Sequence, residues 1–304
     1  MARADTAAAP PASWRSYAML TLVMLLWAGN LIVGRAMRAE IPPFTLALLR
    51  WTGAALVALP FTWRHVLADR RALLSGWRPL LILGVTGVAA FNALVYSGLR
   101  YTTATNGLLL LAAIPAMVLL FNRLVFGTRA PVWQLCGVIL STLGVLTIVL
   151  RGAPGAILDL QYNAGDLLIL CGVICWAAYT SLLRLRPDCN PWSFLLVTFA
   201  IGIVGMAPLA AMEADAIAAM TWSGKVVAAV AYVAVLPSLV AYLLYNAAVQ
   251  AIGAGRAGQT ISLMPLFGSL LAAMLLGEAL HGYHVWGMAL ILAGICVAVL
   301  PARG

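Results

Sequence analysis

Charge is scarce in this chain. Of its 304 residues only 9% are Asp, Glu, Lys or Arg, while 64% are hydrophobic, proportions that exclude an ordinary soluble domain. No Asp or Glu falls in the middle third of any long apolar run, and the three histidines (His65, His281, His284) lie in expected loops. An intramembrane protease needs a Ser/His pair or two facing aspartates, and a buried proton relay needs similar groups. Neither has its parts here, so the reading is not an enzyme, and coupling through a buried carboxylate is not expected. The five cysteines (136, 171, 175, 189, 296) are odd in number and contain no C-x-x-C pair. That spacing suits neither a disulfide framework nor a metal site, and they read as small core residues; no metal and no cofactor is expected.

Long apolar runs are what the chain has in abundance. Ten are long enough to cross about 30 Å of hydrocarbon at 1.5 Å per helical residue, near 17–37, 42–63, 79–99, 102–126, 131–150, 165–185, 191–212, 225–251, 257–277 and 281–301. Their length and Leu/Ala content require helices, since barrel strands show short dyad alternation. The fold class is therefore an all-α integral membrane protein. Connections are mostly about 3 to 15 residues, too short for an extramembrane catalytic domain. Residues 1–16 read as a disordered tail. A cleavable signal peptide fits poorly, because Trp27, Asn30 and Arg35 stand where a small-residue cleavage site belongs.

The net charge of +9 is a topology signal and does not imply a nucleic-acid partner. Twelve cations (Arg3, 15, 64, 70, 71, 78, 123, 129, 184, 186, 256 and 303) fall on one side of a ten-span arrangement. The other side has five (Arg35, Arg38, Arg100, Arg151, Lys225) together with six of the nine acids. The positive-inside bias places both termini in the cytoplasm, making 1–16 a cytoplasmic tail, 151–164 a periplasmic linker and 302–304 a cytoplasmic end. Seventeen arginines against one lysine, with high alanine, hint at a GC-rich bacterial genome and an inner (plasma) membrane.

The two halves repeat. Trp27 and Tyr96 recur as Trp176 and Tyr245 at an offset of 149, and Pro115, Gly127, Gly137 and Gly144 recur as Pro265, Gly277, Gly287 and Gly294 at an offset of 150. Residues 17–150 and 165–301 each hold five expected helices. Because five is odd, the second copy enters the membrane upside-down relative to the first, and such inverted repeats are the architecture of alternating access. Pro115 and Pro265 remove a backbone hydrogen bond inside a span and make paired hinges. Pro237 and Ser238 break the eighth span, whereas the third has only Gly84 and Gly87 in the comparable region, so the halves are expected to differ mechanically. The small-residue faces "GVILSTLG" (137–144) and "GMALILAG" (287–294) suit tight helix contacts, as scaffold or as a homo-oligomer surface.

Polar and aromatic groups in hydrocarbon are the candidate site. Trp27 and Asn30 share a face of the first span, Asn92 and Tyr96 of the third, Trp176 and Thr180 of the sixth beside Tyr179, and Tyr242 and Asn246 of the eighth beside Tyr245; Gln259 precedes Pro265 in the ninth. Rings with a few amides would hold an amphipathic small-molecule solute and tolerate many side chains. The bland reading makes the rings interfacial belts and the amides helix cross-links. Arg50, the one charge deep in a span, is either a contact for a substrate carboxylate or a helix anchor.

With "LLWAGNLIVGRAM" opening the first copy, "PPFTLALLRW" starting the second helix and the P-x11-G fourth and ninth helices, the chain resembles the drug/metabolite transporter superfamily over nearly its full length. Within it, the sequence is similar to the EamA-like branch and to YddG-type aromatic amino-acid exporters. The resemblance implies a central cavity lined mainly by helices 1, 3, 4, 6, 8 and 9, bending of helices 4 and 9 at Pro115 and Pro265, and amino-acid export from the cytoplasm by alternating access. Export of drugs, nucleosides or other metabolites, and a non-transporting membrane scaffold, are the alternatives.

Overall fold

The computed structural model describes residues 14–102, 104–158 and 163–299. Among them, nine helices are long and apolar enough to cross a membrane, and a tenth apolar helix, Gly282–Val299, follows. The spans, numbered in chain order, are Trp14–Ala36, Pro43–Ala68, Trp77–Gly98, a fourth in two pieces (Ala104–Leu111 and Ile114–Phe126), Val132–Val149, Ala164–Leu182, Pro191–Ala211, Gly224–Ile252, a ninth in pieces (Ala254–Gln259, Thr260–Ser262, Leu263–Leu276) and Gly282–Val299.

Local chemistry sets the boundaries. Pro43 and Pro191 sit in the first turns of spans 2 and 7, where a missing N–H costs nothing. Asn163 and Asp166 form a reciprocal capping box at the start of span 6. Span 1 begins at Trp14, so residues 14–16 of the expected tail are helix; the rest of that tail and residues 300–304 lie outside the described residues. In the expected linker, 154–157 form a 3-10 turn, residues 159–162 are outside the described set, and Ala164 is already helical.

The packing maps onto itself when the halves are exchanged. Span 5 packs on span 10 and span 2 on span 7, each with its own counterpart; span 3 packs on span 6 as span 8 does on span 1, and span 4 on span 6 as span 9 does on span 1. Ion pairs gather one set of helix ends: Arg35 with Glu278 at 2.6 Å, Arg100 with Glu213 at 2.8 Å and Lys225 with Glu40 at 2.6 Å. At the arginine-rich end Asp69 accepts from the Asn190 backbone at 2.9 Å. The charge reading had put all six ion-paired residues, Arg35, Arg100 and Lys225 with Glu40, Glu213 and Glu278, on one side, as two oppositely inserted five-helix units require.

The glycine faces of spans 5 and 10 meet each other. A Cβ on Gly144 would lie 2.6 Å from the Gly287 carbonyl oxygen, and one on Gly137 2.5 Å from that of Gly294. The stripe is used inside the chain as scaffold, so it is not a free surface for self-association.

Each Pro and Gly of the repeated P-x11-G motif has a separate task. Span 4 breaks at residues 112–113, immediately before Pro115, and span 9 passes through a 3-10 turn immediately before Pro265. Gly127 (φ 67°) and Gly277 (φ 69°) end those spans in the left-handed region, which costs a residue with a Cβ about 1 kcal/mol or more.

One expectation is overturned. Spans 3 and 8 are interrupted alike, the glycine-bearing one included: each contains one π-helical turn, at Val85–Ala90 and Val235–Val240, 150 residues apart. The halves break at the same place, with Gly87 in one position and Pro237 in its counterpart.

Candidate functional site: an aromatic centre between the repeats

Spans 1, 2, 3, 6, 7 and 8 send rings to one point. Trp27 lies 5.1 Å from Trp176 edge-on, 5.1 Å from Tyr245 and 5.8 Å from Tyr242 between ring centroids. Trp176 also meets Tyr179 at 5.3 Å and Phe91 at 4.9 Å. Tyr242 continues the cluster to Trp51 at 5.3 Å and Phe199 at 6.0 Å. These are the distances and edge or tilted geometries that ring quadrupoles favour. Trp27, Trp176, Tyr179, Tyr242 and Tyr245 are all buried, the last two almost completely, so they are not interfacial belt residues.

The hydrogen bonds are specific. Tyr179 donates to Asn246 Oδ1 at 2.7 Å, and the Thr180 and Tyr245 hydroxyls pair at 2.9 Å. Trp27 Nε1 donates to the Pro237 carbonyl at 2.9 Å, and the Tyr242 hydroxyl to the Gly87 carbonyl at 2.9 Å. Pro237 lacks the N–H that an α-helix would supply to the Val233 carbonyl, and the Ser238 hydroxyl takes that place at 2.7 Å. Ser238 Oγ in turn accepts from Arg50 Nε at 2.5 Å. Arg50 is buried, lies 4.2 Å above the Trp51 ring, and forms none of the ion pairs found among the described residues.

Donors outnumber acceptors here. The indole N–H groups of Trp51 and Trp176 and the amide nitrogen of Asn246 are buried without a hydrogen-bond partner. An orphaned buried donor costs about 1–3 kcal/mol, and one of the three, Trp51, stands against the Arg50 guanidinium, which takes part in none of the ion pairs among the described residues.

The other expected residues divide. Tyr96 is half-buried and packs against the core, and Asn92 bonds to Val88 in its own helix at 2.8 Å. Asn30 is half-buried. Gln259 is not at the rings: its amide donates to the Gly294 carbonyl at 3.1 Å, tying span 9 to span 10. Trp51, Phe91 and Phe199 escaped sequence reading because none has a repeat match, although Trp51 adjoins Arg50 and Phe91 adjoins Asn92, signals that could have found those two. The expected hollow is closed. The rings fill the centre, and the adjoining cavity, between Arg186 and Gln250 at the arginine-rich end and Asn246 inside, holds about 100 Å³. Ligand pockets run to roughly 300–1,000 Å³, so this cavity is smaller than a small-molecule site.

Comparison with known proteins agrees with this architecture. The EamA-like transporter family matches twice, over residues 14–150 and 163–300, one match per five-helix unit. An uncharacterized transporter of Archaeoglobus fulgidus is 30% identical over 285 residues, covering 92% of this chain and 96% of that protein. A Salmonella typhimurium protein named "Probable amino-acid metabolite efflux pump" is 25% identical over 294 residues, covering 93% and 94%. A solved crystal structure shares the fold at a TM-score of 0.73 and 21% identity, covering 95% of this chain and 98% of that one. With both halves matched and the ring-filled centre lying where the halves meet, the chain belongs to the EamA-like transporter family of drug/metabolite transporters.

Proposed function

We propose that the protein exports amino acids, with broad tolerance for the side chain, from the cytoplasm across a bacterial inner membrane by alternating access, both termini being cytoplasmic. The observation that carries the substrate reading is the surplus of donors at the aromatic centre. Arg50 without a carboxylate, and the orphaned N–H groups of Trp51, Trp176 and Asn246, suit a solute that brings a carboxylate. The surrounding rings accept an aromatic or aliphatic side chain by burial and stacking, which selects weakly among them. Relatives named as amino-acid metabolite efflux pumps support the same substrate class. Relatives named as efflux pumps support export as the direction, the arginine bias supports cytoplasmic termini, and the breaks before Pro115 and Pro265 and around Pro237 are the hinges about which the halves exchange.

The test is counterflow in proteoliposomes with a panel of labelled amino acids, nucleosides and cationic drugs. Saturable exchange of amino acids, lost on Trp27→Ala and Trp176→Ala, is expected. Exchange confined to nucleosides or drugs would replace the substrate, and exchange unaltered by both substitutions would remove the site.

A further inference from the structure

The two π-helical turns are held by the opposite repeat. Tyr242, in span 8, donates its hydroxyl to the Gly87 carbonyl of the turn in span 3, and Trp27, in span 1, donates its indole N–H to the Pro237 carbonyl of the turn in span 8. Gly87 and Pro237 are 150 residues apart, so the two accepting carbonyls are counterparts across the repeat, although their donors come from non-equivalent spans, 8 and 1. Each is a single bond from a side chain to a backbone oxygen at the centre of the molecule. A break in the i→i−4 ladder leaves carbonyls in need of donors, and π-turns concentrate at functional positions for that reason. The turn in span 8 is also held from span 2, by Arg50 through Ser238.

Building on the amino-acid reading above, we infer that the Gly87 and Pro237 carbonyls are the ammonium site of the solute, occupied in the closed molecule by the protein's own Tyr242 hydroxyl and Trp27 N–H. A carboxylate at Arg50 and an ammonium at these carbonyls together read a zwitterionic head. The ammonium carries three donors and no acceptor, and at these carbonyls it competes with the Tyr242 hydroxyl and the Trp27 N–H. Displacement frees one turn in each repeat in the same event, and binding of the correct head is thereby coupled to loosening of both halves. Arg50 leaving Ser238 for the carboxylate releases the span 8 turn a second way.

The consequence is that the protein's own donors compete with the solute. Removing one donor while leaving an aromatic ring in its place must then favour solutes that carry an ammonium over those that do not. Tyr242→Phe and Trp27→Phe are compared with wild type by equilibrium binding of a labelled α-amino acid and of its desamino analogue, the carboxylic acid with the same side chain. The expected result is a Kd for the amino acid lowered about fivefold relative to that for the desamino acid in each variant, the worth of one net hydrogen bond, the ratio cancelling what the smaller ring of Trp27→Phe does to both ligands. A purely structural role would move both ligands together. Parallel shifts for the two ligands, or no shift for either, in whichever of the variants folds overturn the ammonium site while leaving amino-acid transport standing. Absence of amino-acid binding in the wild type sinks the transport reading and this inference together.

Discussion

Replacing Gly144 with alanine should loosen the scaffold on which the two halves turn. The added Cβ would stand 2.6 Å from the Gly287 carbonyl oxygen and 2.8 Å from both the backbone nitrogen and Cγ1 of Ile291, where ordinary contact begins at 3.4 Å. The obstruction is backbone, so no side chain can swing away, and spans 5 and 10 must separate locally by about 0.8 Å, the difference between 3.4 and 2.6 Å. A gap of roughly 0.5–1 Å forfeits a quarter to a half of each dispersion contact, and overpacking costs about 1–3 kcal/mol. Alanine returns up to about 1 kcal/mol in helix propensity, leaving a net loss of about 1–2 kcal/mol. Thermal unfolding in detergent should show Gly144→Ala melting a few degrees below wild type. Gly268→Ala is the control: it sits inside a helix with nothing within 4 Å of its would-be Cβ, and it should melt at or above wild type. Adding Gly287→Ala to Gly144→Ala should cost less than Gly287→Ala alone, because the first substitution has already parted the same crossing. A Gly144→Ala protein as stable as wild type would refute the backbone contact between the two glycine stripes.

Two further outcomes test the ends of the bundle. Glu213 accepts from the Thr45 backbone at 2.8 Å, the Thr45 hydroxyl at 2.9 Å, the Phe44 backbone at 3.3 Å and Arg100 at 2.8 Å, so it caps span 2 from span 7 in place of the side chain that Pro42 lacks. Glu213→Ala should lower stability by about 2–4 kcal/mol, with the Arg100 share discounted for that residue's exposure, and Glu213→Gln should lose less, as chemical denaturation would read; equal losses would deny the carboxylate its capping role. The acids nearest the spans, Asp166 (held by Thr102 at 2.5 Å and the Asn163 backbone at 2.8 Å) and Glu278 (paired with Arg35), both lie at the ion-paired end. Counterflow should therefore ignore an imposed pH gradient in wild type, Asp166→Asn and Glu278→Gln alike. Gradient-driven accumulation in the wild type would refute the absence of proton coupling, and its loss on either substitution would place the coupling at that carboxylate.

Much of the architecture could be read from one dimension because hydrocarbon imposes it. Ten apolar runs, a repeat offset carried by prolines and glycines, and a one-sided excess of arginine fix helices, their number and their alternation, and the ion pairs of Arg35, Arg100 and Lys225 join ends that the arginine count had already grouped. Trp27 and Trp176 were legible as central because each is mid-span and matched to the other. Gln259 was misjudged because an amide one turn before a proline looks the same whether it faces a site or cross-links spans 9 and 10. The π-turn of span 3 was missed because nothing in "VTGVAA" announces a change of helical register, while its counterpart carries a proline. Aligning Gly87 on Pro237 was the only available hint.

The order of residues alone determined a membrane-embedded, twice-repeated, oppositely inserted helical protein, since span length, parity and charge bias answer to the bilayer and need no knowledge of neighbours. Tertiary structure decided which rings meet, that they close the centre, that Arg50 reaches Ser238, and that each repeat holds the other's π-turn. Those facts depend on how helices far apart in sequence rotate and cross, and a rotation of a few tens of degrees, invisible to any hydrophobic pattern on an all-apolar helix, separates a ring in the centre from a ring in lipid.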